Sequence, residues 1–175
     1  MQRWLGPRFA WYRMFYTVFS VLSLLPVLLL ERNAHGTLLF AWFFPLSLVQ
    51  WAAVAAAVAL LLAGARQYDQ RYFFGLAQII DYRGGRTPGS PVFKAGGVLR
   101  HVRHPYYTAG ILFVLFYGDV TTVSLATKTV LIAYFLIGAL LEERKLLVEF
   151  GEGYAEYKRQ VPMLLPRMGT LHVTR

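Results

Sequence analysis

The chain has 175 residues, enough for one domain. It is 57% hydrophobic and only 15% charged, where a soluble domain is nearer half apolar and a quarter charged. There are no cysteines, which excludes disulfides, thiolate nucleophiles, thiolate-bound zinc and iron–sulfur clusters, and the net charge is +9.

That charge is read by its position. Taking the apolar runs as membrane spans, sixteen of the eighteen Lys and Arg fall on one side. Such sidedness is the positive-inside pattern and places both termini in the cytoplasm. A solvated nucleic-acid-binding surface has no reason to produce it, so nucleic acid is excluded as a partner and the lipid bilayer is expected as one.

Met1 to Arg13 is basic and aromatic, with Trp4, Phe9, Trp11 and Tyr12, as in an interfacial anchor. Met14 to Leu30 is 17 residues without a charge and reads as a retained first transmembrane helix rather than a signal peptide. A short polar turn holding His35 follows. Thr37 to Ala65 is 29 uncharged residues, more than the ~20 that one span needs, so tilt or an interfacial turn before Pro45 takes up the excess. The Ala-rich end of this run suits close helix approach.

Residues 66–104 read as a cytoplasmic loop. Tyr68, Tyr72, Leu76, Ile79 and Ile80 recur at helical spacing, and Gly84-Gly85, Thr87-Pro88-Gly89 and Ser90-Pro91 then break the pattern. The glycines do not form G-x-G-x-x-G, so a dinucleotide-binding fold is unsupported.

Pro105 to Leu141 carries only Asp119 and Lys128 in 37 residues. One straight helix of that length would run to about 55 Å, far beyond a hydrocarbon core of about 30 Å. The segment must fold back at Gly118-Asp119, giving a helical hairpin with arms near 106–117 and 122–141. The first arm, about 18 Å long, is too short to cross alone. Its N-terminus is therefore expected to lie inside the protein, with its N–H groups capped or bound. The hairpin also returns Arg103-His104 and Glu142-Glu143 to the same membrane face.

After Leu141, the positions Leu146, Leu147, Phe150, Tyr154 and Tyr157 form one helical face, interrupted at Gly151 and Gly153. The fold expected is all-α and integral to the membrane, with about four transmembrane helices, a C-terminal hairpin and short cytoplasmic amphipathic helices. All of it makes a single domain over 1–175: two N-terminal spans in 1–65, a loop in 66–104, the hairpin in 105–141 and a closing segment in 142–166.

Arg103-His104-Pro105-Tyr106-Tyr107 opens a helix with Pro in its first turn. Its partial positive charge and two cationic side chains suit a carboxylate or phosphate. Tyr106 and Tyr107 add hydroxyls and flat faces. These five residues alone serve equally as a basic interfacial anchor. Glu142 and Glu143, placed at the inner end of a helix against its dipole, weigh toward a site. One of the two can pair structurally with Arg103 while the other meets a ligand. No His or carboxylate spacing fits a metal.

R-H-P-x-Y, an apolar stretch and then E-E resembles the signature of the membrane methyltransferases typified by isoprenylcysteine carboxyl methyltransferase. The ending EERKLLVEFGEGYAEYKRQVPMLLP is similar to that family's close, and FGLAQ with VPMLLP resembles its thiol S-methyltransferase branch. The resemblance covers about Gly96 to Pro166. It implies S-adenosylmethionine as cofactor, bound through His104, Pro105, Tyr106, Tyr107, Gly110, Glu143, Tyr154 and Tyr157. It implies Arg103 with Glu142 or Glu143 at the reacting groups, and a hydrophobic or small thiol or carboxylate acceptor. It also implies a multi-pass protein of a bacterial or archaeal inner membrane. Leu99 stands where the family usually has tyrosine, and Tyr107-Thr108-Ala109-Gly110 is one residue longer than the usual Y-x-G. The competing reading is a non-catalytic membrane protein that uses the same fold for lipid binding or partner assembly.

Overall fold

The computed structural model describes residues 36–67 and 96–166, with positions 15, 18, 19, 22, 25–27, 29 and 31–34 before them. The positions described between 15 and 33 are helical. Most of the first expected span and residues 68–95 of the expected loop lie outside the described residues. The chain divides into two compact units, one of 1–34 with 68–92, the other of 35–67 with 93–175. Every site residue expected from the sequence belongs to the second unit.

That unit is mostly helical. Strand β1, Leu38–Phe40, precedes helix α1, Leu46–Gln67. A 3-10 turn at Gly97–Arg100 leads to helix α2, Pro105–Phe116. Strand β2, Val120–Thr121, joins it to the long helix α3, Thr122–Phe150, and helix α4 is Glu152–Gln160. The strands pair antiparallel, Leu38 opposite Thr121 and Phe40 opposite Val120. This small ladder is a departure from the all-α expectation and explains where the surplus of the 37–65 run goes. Residues before Pro45 form strand and turn, and the helix begins just after the proline.

Among the described residues, α1 and α3 are long and apolar enough to cross a membrane, and α2 is apolar but short. Only 11% and 17% of the most apolar windows of α1 and α3 are buried, whereas the core helix of a soluble protein would be mostly covered. The hairpin turns where expected, at Gly118, whose φ of +67° suits glycine. Thr121 and Ser124 then cap α3 reciprocally. The Thr121 hydroxyl accepts from the Ser124 N–H at 3.0 Å, and the Ser124 hydroxyl accepts from the Thr121 N–H at 2.8 Å. Trp42 ties β1 to this turn through its N–H to Asp119 Oδ1 and its Nε1–H to the Gly118 carbonyl, both 3.1 Å.

Helices α2 and α3 meet along small residues. Ala109 and Ala139 are buried, the Phe135 ring lies where a Cβ on Gly110 would sit at 2.8 Å, and Tyr107 lies where one on Gly138 would sit at 2.9 Å. On α3, Ser124, Lys128, Phe135, Ala139 and Glu143 follow one another at spacings of four or seven, so they share a face. Behind α2, Gly64 of α1 faces Pro105 at ordinary contact distance. The sequence-based end of the second arm at Leu141 is corrected: α3 continues through Glu142 and Glu143 to Phe150. Both glutamates are therefore helix-interior residues, two turns from the C-terminal dipole, and an unfavourable dipole does not explain them. Glu, Arg, Lys and Leu are strong helix formers, so the change from apolar to charged sequence ends the hydrophobic run and not the helix.

Candidate active site

Glu143 is the centre of the site. Its position on the α2-facing stripe of α3 leaves its side chain 3% exposed, against 42% for Glu142. A carboxylate buried to that extent must be paired and hydrogen-bonded, and four residues from three other places in the sequence supply this. His104 Nε2 lies 2.9 Å from Oε1, and the Tyr154 hydroxyl donates to the same oxygen at 2.9 Å. Arg103 Nε is 3.2 Å from Oε1 and Lys158 Nζ is 3.0 Å from Oε2. These last two contacts are ion pairs by distance but lack the directionality of hydrogen bonds. Arg103 Nε and Glu143 Oε2 are thus buried polar atoms with no hydrogen-bond partner. Distance governs the Coulomb attraction, so both statements hold together.

The turn before α2 is held from outside by the chain's own C-terminal segment. The Arg103 N–H donates to the Pro162 carbonyl at 3.0 Å and the His104 N–H to Met163 at 3.2 Å. The Thr108 hydroxyl donates to the Leu164 carbonyl at 2.7 Å. The buried helix start expected from the short first arm is present: Arg103, His104 and Pro105 are all buried, and carbonyls of the C-terminal segment accept from the N–H groups of the two residues that precede the helix.

Helix α4 closes the cluster. Tyr154, Tyr157 and Val161 form its buried face, packed on Leu146, Leu147 and Phe150. The Tyr157 hydroxyl donates to the Leu99 carbonyl at 2.6 Å, which ties α4 to the 3-10 turn. Burial, helped by the neighbouring Glu143 carboxylate, pushes the Tyr154 phenol well above its ordinary range, so it stays a protonated donor.

The expected site residues are therefore only partly brought together. Arg103, His104, Glu143 and Tyr154 converge within bonding distance. Tyr107 stands edge-on to His104, ring centroids 5.6 Å apart, with its outer edge on Gly138. Tyr157 supports the cluster through Leu99, and Pro105 is fully buried at the start of α2. Tyr106 faces Gly64, and Gly110 packs against Phe135, away from the carboxylate. Glu142 comes no nearer than 3.9 Å to His104 Nδ1. Lys158 is a member that sequence reasoning misses. The signal for it is visible: it lies four residues after Tyr154 and three before Val161, a lone cation on an apolar helical stripe. Beside the cluster, an apolar groove of about 270 Å³ opens between α2 and α3, lined by Thr108, Ile111, Leu136 and Leu164 among others. Among the described residues no group of three His, Asp or Glu is placed to hold a metal ion.

No family profile matches the chain, and no solved structure does. Curated relatives do. The chain is 36% identical over 94 residues to a methanethiol S-methyltransferase of a Pseudomonas species, covering 54% of this chain and 36% of the relative. It is 31% identical over 137 residues to one from Crocosphaera subtropica, covering 78% of this chain and 50% of the relative. It is 29% identical over 116 residues to one from Mycobacterium tuberculosis, covering 66% and 48%. The chain spans about half the length of the curated relatives it matches, or less. By sequence, then, it is a relative of the methanethiol S-methyltransferases, the thiol-methylating branch of the isoprenylcysteine carboxyl methyltransferase-like family that its motifs resemble.

Proposed function

We propose that this chain is a membrane-embedded, S-adenosylmethionine-dependent methyltransferase acting on a small or hydrophobic thiol. The observation that carries the proposal is the buried Glu143 carboxylate, which gathers Arg103, His104, Tyr154 and Lys158 in a chain similar to relatives named for methylating methanethiol. Both termini are taken as cytoplasmic on the sidedness of Lys and Arg.

The site fits the cofactor on its charges. Arg103 and Lys158 offer positive charge to a carboxylate, and Glu143 offers negative charge to an ammonium group. Tyr107, half-buried beside His104, offers a ring edge and face to a flat or cationic group. When bound, S-adenosylmethionine supplies an electrophilic methyl on a sulfonium that becomes a neutral thioether as the methyl leaves. The protein's task is then to orient and to manage one proton. The Arg103 guanidinium favours the thiolate form of an acceptor held beside it. With His104 Nε2 turned to the Glu143 carboxylate at 2.9 Å, Nδ1 is the ring nitrogen left to meet the thiol proton. The apolar groove beside Thr108 gives room for the acceptor's hydrocarbon part.

Purified protein in lipid vesicles, given methyl-labelled S-adenosylmethionine and methanethiol, should yield labelled dimethyl sulfide. Glu143→Gln should lower that rate by about a hundredfold or more while the protein stays folded, because the change removes a charge that aligns two others. The alternative, a non-catalytic membrane protein, is favoured by one observation: the same ion cluster pins α2, α3 and α4 together. A folded protein that binds no S-adenosylmethionine at millimolar concentration would leave that alternative standing and sink the enzyme.

A further inference from the structure

We infer that Lys158 is a positioning residue: it fixes the Glu143 carboxylate from the solvent side, and α4 carries it there as a latch hinged at Gly151. Residue 158 touches both halves of the buried pair. Its Nζ lies 3.0 Å from Glu143 Oε2, and its carbonyl accepts from Arg103 Nη1 at 3.2 Å. That carbonyl is in the last turn of α4, where backbone acceptors have no partner within the helix, so Arg103 caps α4 while it pairs with α3. Tyr154, one turn earlier on the same face, holds Oε1. Helix α4 thereby grips both oxygens of one carboxylate and sets its rotation.

The grip is releasable. The Lys158 side chain is 43% exposed although its partner is 3% exposed. The contact is an ion pair with one partner in solvent, so salt weakens it from the Lys158 side. The link to α3 is a single residue, Gly151, at φ 56°, ψ −132°, a conformation open essentially to glycine. Nothing lies within 4 Å of where a Cβ would stand on Gly151 or on Gly153, so the joint is sterically free. Swinging α4 away removes two groups from Glu143 and one acceptor from Arg103 at once.

The inference rests on the methyl-transfer reading for its kinetic arm only. The absence of cysteine allows a single nitroxide at Glu156→Cys, on the exposed side of α4, in the full chain in lipid vesicles. Lys158→Met should mobilise that label and lower kcat about tenfold, with KM for the methyl donor unchanged. Lys158→Arg should restore both. An unchanged label with a raised donor KM would overturn the latch and make Lys158 a donor-binding residue. Failure of Lys158→Arg to restore either readout would overturn the charge-based hold. If the label loosens in Lys158→Met but no variant and no parent protein transfers methyl, the latch stands and the methyltransferase reading falls.

Discussion

The two ends of the α2–α3 hairpin solve the same problem in opposite ways. Each must satisfy polar groups next to apolar helices. At the turn, most partners are neutral groups: Thr121 pairs with Ser124, the Ser124 hydroxyl with the Asp119 carbonyl, and Trp42, 76 residues back, with the Gly118 carbonyl, while Lys128 reaches the Leu115 carbonyl at 3.4 Å. At the other end, Glu143 draws His104 from 39 residues away and Tyr154 from 11, and the Arg103 side chain reaches 55 residues to the Lys158 carbonyl. Both ends draw on distant parts of the chain, but the Glu143 end gathers charged groups, and two buried atoms there have no hydrogen-bond partner. Capacity left over after folding distinguishes a site from a fastening.

That contrast can be broken most forcefully at Glu143. Glu143→Leu strands Arg103 and Lys158 without their counter-charge and should destabilise the protein by about 3–5 kcal/mol, read as a lowered thermal midpoint in detergent. Next in size is the packing between the ends. Gly110→Ala places a methyl 2.8 Å from the Phe135 ring and should lower stability by about 1–3 kcal/mol. Adding Phe135→Leu should recover part of that loss, and a double-mutant cycle showing no coupling would contradict the close approach described. At the turn, Thr121→Ala removes one half of the reciprocal cap and should cost about 1 kcal/mol with methyl transfer intact. A large activity loss there would erase the distinction between the two ends. The smallest effect belongs to Glu142→Gln, within about 0.5 kcal/mol and with little change in rate, since its half-exposed carboxylate is only loosely near His104.

Much of this was legible in the residues. The length of the 105–141 run forced a fold-back, and Gly118-Asp119 marked it. Charge sidedness then put Arg103-His104 beside the glutamate pair. The choice between Glu142 and Glu143 was also written in the sequence, in the stripe Ser124–Lys128–Phe135–Ala139–Glu143. Using it required knowing that α3 runs unbroken past Leu141, which hydropathy alone conceals. The β1–β2 ladder was hidden because Leu38–Phe40 sits inside an apolar run that could as well be helix. Lys158 was obscured by its setting: in Tyr157-Lys158-Arg159-Gln160 it looks like one of several solvated cations, and its spacing from Tyr154 and Val161 is what separates it from Arg159, which pairs with Glu152 and Glu156 at the surface.

The seating of Pro162 and Met163 on the N–H groups of Arg103 and His104 has a consequence for biosynthesis. The segment that clasps the start of α2 follows α1, α2 and α3 in the chain, so the turn is completed by residues translated after all three, some sixty positions downstream. A chain cut just after Gln160 would lack that clasp and leave the Arg103 and His104 N–H groups without these acceptors.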